Sequence, residues 1–422
     1  MNPGPPPRWG ESWRAAWRAF WPSRLVVFAA AIWVTTADLA VNAQPDYPEL
    51  SHPFSNWPGS GLLDLLFSPL AKWDALHYLA IAYDGYSGAQ PGLPPADVRP
   101  AFFPLYPGLV HFFSGFGASA GLVLVMAYVI SLAAFLVALV LMHRLAAIEI
   151  GERYARTALM LLAFFPLAFF FGLPYTESLF LLLAVAVFLA AREGRWALVG
   201  ISLALASATR VPGLLLFVPA ALLYLYGPRR DREERPSRGW RPRYGLRPDA
   251  AWLLLAPLGL IAYSAYLHFA LGNALQWQDA QQLFGRHTVD PFTGAWNGLR
   301  AGGESIGVVL EGGYDEQPIY YHLDIAQVGL VALALVAGIA MLRSLPVAYG
   351  SWVLVSLVPI FVSQPSDNPL FSAGRFISVL FPIFFWLAGV CERRGSTQTV
   401  LALSAAAMAV LTAEFALWSF VA

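Results

Sequence analysis

Apolar runs long enough to cross a bilayer recur from one end of this chain to the other, and they limit its fold more than any other feature. A run of about 18 residues or more spans a ~30 Å hydrocarbon core. Inside lipid the backbone polar groups must satisfy one another within the segment, so such runs fold as helices. The runs predict eleven spans, at about 25–43, 118–142, 157–173, 177–192, 196–209, 212–227, 250–271, 324–343, 346–364, 372–391 and 398–420. Only 12% of the 422 residues are charged, against roughly 25% in soluble domains. The expected fold is therefore all-α, a polytopic transmembrane bundle. The single cysteine, Cys391, excludes an intrachain disulfide. No nucleic-acid partner is expected.

Lys and Arg set the orientation, because cytoplasmic loops carry an excess of both. With the N-terminus inside, the cytoplasmic segments hold 20 of the 26 cations, eight of them arginines in 229–247. Six remain outside: Lys72, Arg99, Arg210, Arg286, Arg300 and Arg375. Residues 1–24 lack a signal-peptide core, and Trp9, Trp13, Trp17 and Trp21 recur every fourth residue. That stretch is expected to be a cytoplasmic interfacial helix, followed by one transmembrane domain over 25–422. The basic loop 228–248 reads as an anchor on anionic lipid. Two external loops are long, at about 44–117 and 272–323, and loops of that length usually carry function.

In the first of these loops Ser68 can cap a helix and Pro69 suits its first position, which predicts a helix over 69–84 at the membrane surface. Leu70, Trp73, Leu76, Ala80 and Tyr83 form its apolar stripe, while Asp74, His77 and Tyr78 share another face. A carboxylate beside a histidine can deprotonate a hydroxyl. Asp38 and Glu177 are the alternative carboxylates. Arg210 and Arg375 stand at the external ends of two spans, against the charge bias. If they converge, their forked donors match phosphate oxygens. Gln281 and Arg286 lie in an amide-rich stretch of the second loop that suits sugar or headgroup contacts. Each feature also has a plainer explanation taken singly. The acid and histidine suit a solvated face, the arginines can snorkel to lipid phosphates, and the amides suit a solvated loop.

Together the elements resemble the PIG-V family of mannosyltransferases, membrane enzymes of the GT-C class. The matching pieces are Lys72-Trp73-Asp74 through Tyr78 to Asp84-Gly85-Tyr86, then 101–107. Pro174 to Leu179, Ala208-Thr209-Arg210, the 281–286 segment, Gly374-Arg375-Phe376 and Phe381-Pro382 follow in the expected order. The resemblance implies a GT-C bundle and transfer of mannose, with inversion, from a polyprenyl-phosphate or dolichyl-phosphate donor outside the cytoplasm. The acceptor would be a glycolipid, a glycan or a protein. It implies Asp74 as general base, with His77 orienting it or touching the acceptor. Arg210 and Arg375 would lie at the donor phosphate, with Trp73, Tyr78, Glu177, Gln281 and Arg286 around the substrates. No metal or other cofactor is expected. The Arg, Ala and Gly bias with a single Lys suggests a high-GC bacterium and its plasma membrane. The competing readings are a secondary transporter and a non-catalytic subunit of a glycosylation complex.

Overall fold

A computed structural model describes residues 6–41, 54, 62–88, 93–232, 241–311, 318–365, 368–419 and 421. Residues 233–240 of the basic loop lie outside the described residues, as do parts of the two long loops expected outside.

The described chain is helical, apart from one short antiparallel ladder pairing Arg286–Thr288 with Ser363–Pro365. The helix Ala120–Ile150 lies at the centre, packed against Trp9–Val41, Glu152–Ala163 and Glu177–Glu193. On one flank, Pro318–Ser344 packs against Val347–Val362 and Pro291–Glu311. Trp9–Val41 also packs against Thr397–Ala416, which brings the first and last helices together. Aromatic rings fill the centre. Phe135, Phe169, Phe170 and Phe171 are all fully buried, and Phe135 stacks on Phe171 at 4.8 Å.

Among the described residues four helices are long and apolar enough to cross a membrane, and the pair Pro248–Leu255 and Leu258–Leu271, bent by 41°, makes a fifth if counted as one span. The chain is thus a multi-pass membrane protein. The other expected spans are shorter or broken. Glu152–Ala163 stops three residues before Pro166, which can neither donate to the previous turn nor tolerate a helical predecessor. A 3-10 turn, Ala168–Gly172, carries the chain on to Glu177. Similar breaks occur at Val211–Leu216 and between Ala373–Ser378 and Pro382–Arg394. Irregular backbone at membrane depth survives where protein covers it or where it lines a cavity, so these breaks point to a site.

The N-terminal segment differs from the expectation. Trp9–Val41 is one continuous helix, so 1–24 is not a separate interfacial element. It runs antiparallel to Ala120–Ile150. Ser12 meets His143 at 3.2 Å, Phe20 meets Phe135 and Phe28 meets Tyr128. Arg24 lies about 18 Å along the axis from Ser12, at 1.5 Å per residue. It is buried, donating to the Ala168 carbonyl at 2.9 Å and lying 4.8 Å over the Phe135 ring. The tryptophans do form an exposed stripe, 44–50% accessible.

Candidate active site

Four charged side chains, each at or beside a helix break, form an alternating chain. Arg375 donates through Nη1 to Asp74 Oδ2 at 2.7 Å. Arg375 Nε lies 3.4 Å from Glu177 Oε1, and Arg210 Nη2 donates to that same oxygen at 3.1 Å. The two guanidiniums therefore converge, since one carboxylate oxygen touches both.

Local structure explains how they meet. Asp74 opens the helix Asp74–Asp84, and Trp73 before it has φ 57°, a left-handed value unusual for a large side chain. Ser372, ahead of the helix carrying Arg375, has φ 67°. Strained backbone of this kind persists only where the surroundings hold it. Trp73 is held by edge-to-face packing on Trp418 at 5.8 Å. Lys72 donates to the Ala416 carbonyl and lies 4.5 Å over the Trp418 ring. Tyr175 donates to the Lys72 carbonyl at 2.9 Å. Two glycines permit close packing beside the arginines. A β-carbon on Gly374 would come within 2.5 Å of Leu167, and one on Gly213 within 2.0 Å of the Ala206 carbonyl.

The helix therefore starts at Asp74 rather than at 69. Ser68 makes no cap bond, and Ser68–Leu70 is a 3-10 turn. Proline and serine there suit a 3-10 start as well as an α-helical one.

Aromatic rings surround the guanidiniums. Phe376 lies 5.0 Å from Arg210 and 5.4 Å from Arg375. Phe170 and Tyr175 also face Arg375, and Phe180 faces Arg210. Rings exclude water, which strengthens every charge interaction inside.

Burial raises the Asp74 carboxyl, but Arg375, then His77 and Arg286, more than offset it and hold the group below the usual carboxylate range. His77 is pushed down to about 4, chiefly by burial, with Asp74 opposing and Arg99 adding. It is neutral near pH 7. His77 does not hydrogen-bond Asp74 among the described residues. Its ring stacks on Phe102 at 4.4 Å and meets the edge of Phe284, and its buried Nδ1 makes no hydrogen bond. Tyr78 reaches Thr176 at 3.4 Å instead of steadying Asp74. Burial pushes its phenol up to about 12. Arg375, rather than His77 or Tyr78, is the side chain that hydrogen-bonds Asp74.

Arg286 is placed by the short ladder, where it donates to the Ser363 carbonyl at 2.9 Å. Burial brings it down to about 10, with Arg375 lowering it further, Asp74 opposing and Arg210 adding. It remains a cation. Gln281 donates to the Ala101 carbonyl at 3.3 Å, next to the Phe102 ring that carries His77, and so packs the site's wall. The three arginines and two carboxylates leave one positive charge in surplus. Two buried atoms of the cluster, Arg375 Nε and Glu177 Oε2, make no hydrogen bond. A surplus cation with unused donors can take an anion.

The six cations expected outside sort cleanly. Arg210, Arg286 and Arg375 belong to this cluster. Lys72 is tied to Ala416 and Trp418. Arg99 is tied to Asp84 at 3.2 Å and to the Gly85 carbonyl at 2.7 Å. Arg300 pairs with Glu304 on the surface. Asp38 is on the first helix and supplies no member of the chain from Asp74 to Arg210. Sequence reasoning missed Phe102, Phe284, Trp418 and Phe170 as walls and supports, because aromatic residues are common throughout.

Residues 49–220 match the family model described as mannosyltransferase (PIG-V). The matched stretch holds Asp74, His77, Glu177 and Arg210, and ends before Arg286 and Arg375. No curated protein matches the chain. Among solved structures, the oligosaccharyltransferase of Archaeoglobus fulgidus in complex with Zn and sulfate is similar at 12% identity, with a TM-score of 0.40. The alignment covers 94% of this chain and 53% of that one, so the chain spans about half that protein's length.

Proposed function

We propose that this protein is a membrane glycosyltransferase of GT-C type that moves mannose from a polyprenyl-phosphate donor to a glycolipid, glycan or protein acceptor, with inversion. The observation that carries the reading is the convergence of Arg210 and Arg375 on Glu177 beside Asp74, inside and next to the stretch similar to PIG-V mannosyltransferases. Asp74 accepts the proton of the acceptor hydroxyl as its oxygen bonds to the anomeric carbon. The anomeric carbon–oxygen bond to phosphate breaks on the opposite face, and polyprenyl phosphate leaves with the electron pair. Arg210, Arg286 and Arg375 stabilise the charge that grows on the leaving phosphate. Trp73 and Tyr78 shape the wall around Asp74. A lipid monophosphate needs no metal where three guanidiniums can neutralise it.

The test is transfer by purified protein in detergent, supplied in turn with polyprenyl-phosphate mannose, other polyprenyl-phosphate sugars and nucleotide sugars. Transfer from the lipid-phosphate sugar alone supports the donor class, and transfer from nucleotide sugars alone overturns it. Absence of transfer from every donor favours a transporter or a non-catalytic subunit. The site is assigned to the non-cytoplasmic face of a bacterial plasma membrane on the arginine bias. In a Cys391→Ser background, a cysteine at exposed Leu246 should resist an impermeant thiol reagent in intact cells. Labelling there would reverse the topology.

A further inference from the structure

The bond between Asp74 and Arg375 sets a problem for a base. A carboxylate that already accepts a 2.7 Å bond from a guanidinium is a weak acceptor for another proton. Yet Arg375 is also a donor that the phosphate would need. The same side chain stands between the two jobs, since Nη1 serves Asp74 while Nε faces Glu177 at 3.4 Å without a hydrogen bond.

We propose that Arg375 couples the two substrates: bonded to Asp74 it holds the carboxylate out of use, and a donor phosphate that takes the guanidinium frees Asp74 to accept the hydroxyl proton. This rests on the reading of Asp74 as base given above. The device keeps the site from activating an acceptor, or water, before the donor is seated. The other charged and titratable groups around Asp74 do not supply an alternative hold. His77 on its own helix stacks on Phe102, Tyr78 reaches Thr176, and Tyr175 donates to the Lys72 carbonyl. Glu177 is bonded to Arg210, and Arg286 donates to the Ser363 carbonyl. Only Arg375 bonds Asp74 directly among the described residues.

Coupling of this kind is reciprocal. If the phosphate draws Arg375 away from Asp74, then removing the charge of Asp74 must tighten donor binding. The experiment measures binding of a short-chain polyprenyl-phosphate mannose to the full-length protein in detergent. Asp74→Asn should bind this donor about tenfold more tightly than wild type, a coupling of ordinary size. It should do so while turning over far more slowly. In an Arg375→Gln background the same change at Asp74 should leave affinity unaltered. Weaker or unchanged binding by Asp74→Asn overturns the coupling, as does a tenfold gain that persists without Arg375. A measurement on wild type alone guards against variants that do not fold. Donor affinity should rise as pH falls and Asp74 takes a proton, because the phosphodiester keeps its charge. A flat or falling affinity also overturns the coupling. If Asp74→Asn keeps full turnover, the assignment of the base fails, and this is distinct from failure of the coupling.

Discussion

The helix Glu177–Glu193 carries buried charge at both ends, about 22 Å apart between Glu177 and Arg192. The two ends are built differently. At the far end Arg192 and Arg229 are each hydrogen-bonded at several points, and Arg229 and Arg232 share Asp231 and Asp249. Arg192 donates to Glu149 and, at 2.7 Å, to the Pro228 carbonyl. Arg229 makes a two-point contact with Asp231 at 3.0 and 2.6 Å and is enclosed by Trp196, Tyr224 and Tyr244. At the near end one oxygen of Glu177 serves two arginines, a third arginine adds charge, and buried donors and acceptors go unused. A satisfied network fixes shape, while a partly satisfied one retains capacity for another molecule. The far end suits a structural girdle and the near end suits chemistry.

The sharpest way to break this comparison is Asp74→Asn. General-base removal typically costs 10²- to 10⁴-fold, so turnover should fall by about that much. Near-wild-type turnover, together with loss on Asp38→Asn or Glu177→Gln, would move the base elsewhere. The next effect is at the phosphate. Arg210→Lys and Arg375→Lys keep charge but lose the fork, and each should weaken donor use by about 10- to 100-fold, the worth of a charge-assisted hydrogen bond. Steady-state kinetics with varied donor reads this directly. Wild-type kinetics in both variants would remove the phosphate assignment.

The far end should answer in stability instead. Glu149 and Arg192 side chains are 4% and 7% exposed, so Glu149→Gln strands a buried cation. Breaking a buried pair costs on the order of 3–5 kcal/mol. Thermal unfolding in detergent should shift down sharply, while turnover per folded molecule stays within about twofold at this distance from the chemistry. A large loss of turnover in the surviving fold would merge the two ends into one functional unit.

The smallest effect concerns His77. Its folded value, about 4, lies below its ordinary 6.5. Between those values the unfolded chain binds a proton that the folded chain does not, so stability is lost as pH falls through that window. His77→Phe should flatten unfolding midpoints between about pH 6.5 and 4. If the wild-type slope in that range survives the change, another group carries it.

What the sequence alone determined was the helical class, the uneven spread of arginines along the chain, and which polar residues were out of place. Composition and run length suffice for the first, because lipid leaves the backbone few solutions. Glu177, Arg210 and Arg375 were legible because a charge at the edge of an apolar run is costly and therefore conspicuous, Asp74 because it shares a helix face with His77, and Arg286 because it lies in an amide-rich loop. Their partners were not. Asp74 and Arg375 are 301 positions apart, and local periodicity carries no information about contacts at that range. The same limit hid the meeting of Lys72 with Ala416 and Trp418 and the depth of Arg24. It also hid the start of the helix Asp74–Asp84, since Ser68 and Pro69 fit two turn geometries equally and the packing of Trp73 on Trp418 selected one. The tertiary structure decided these points because shared burial, rather than local propensity, sets where helices break and which charges meet.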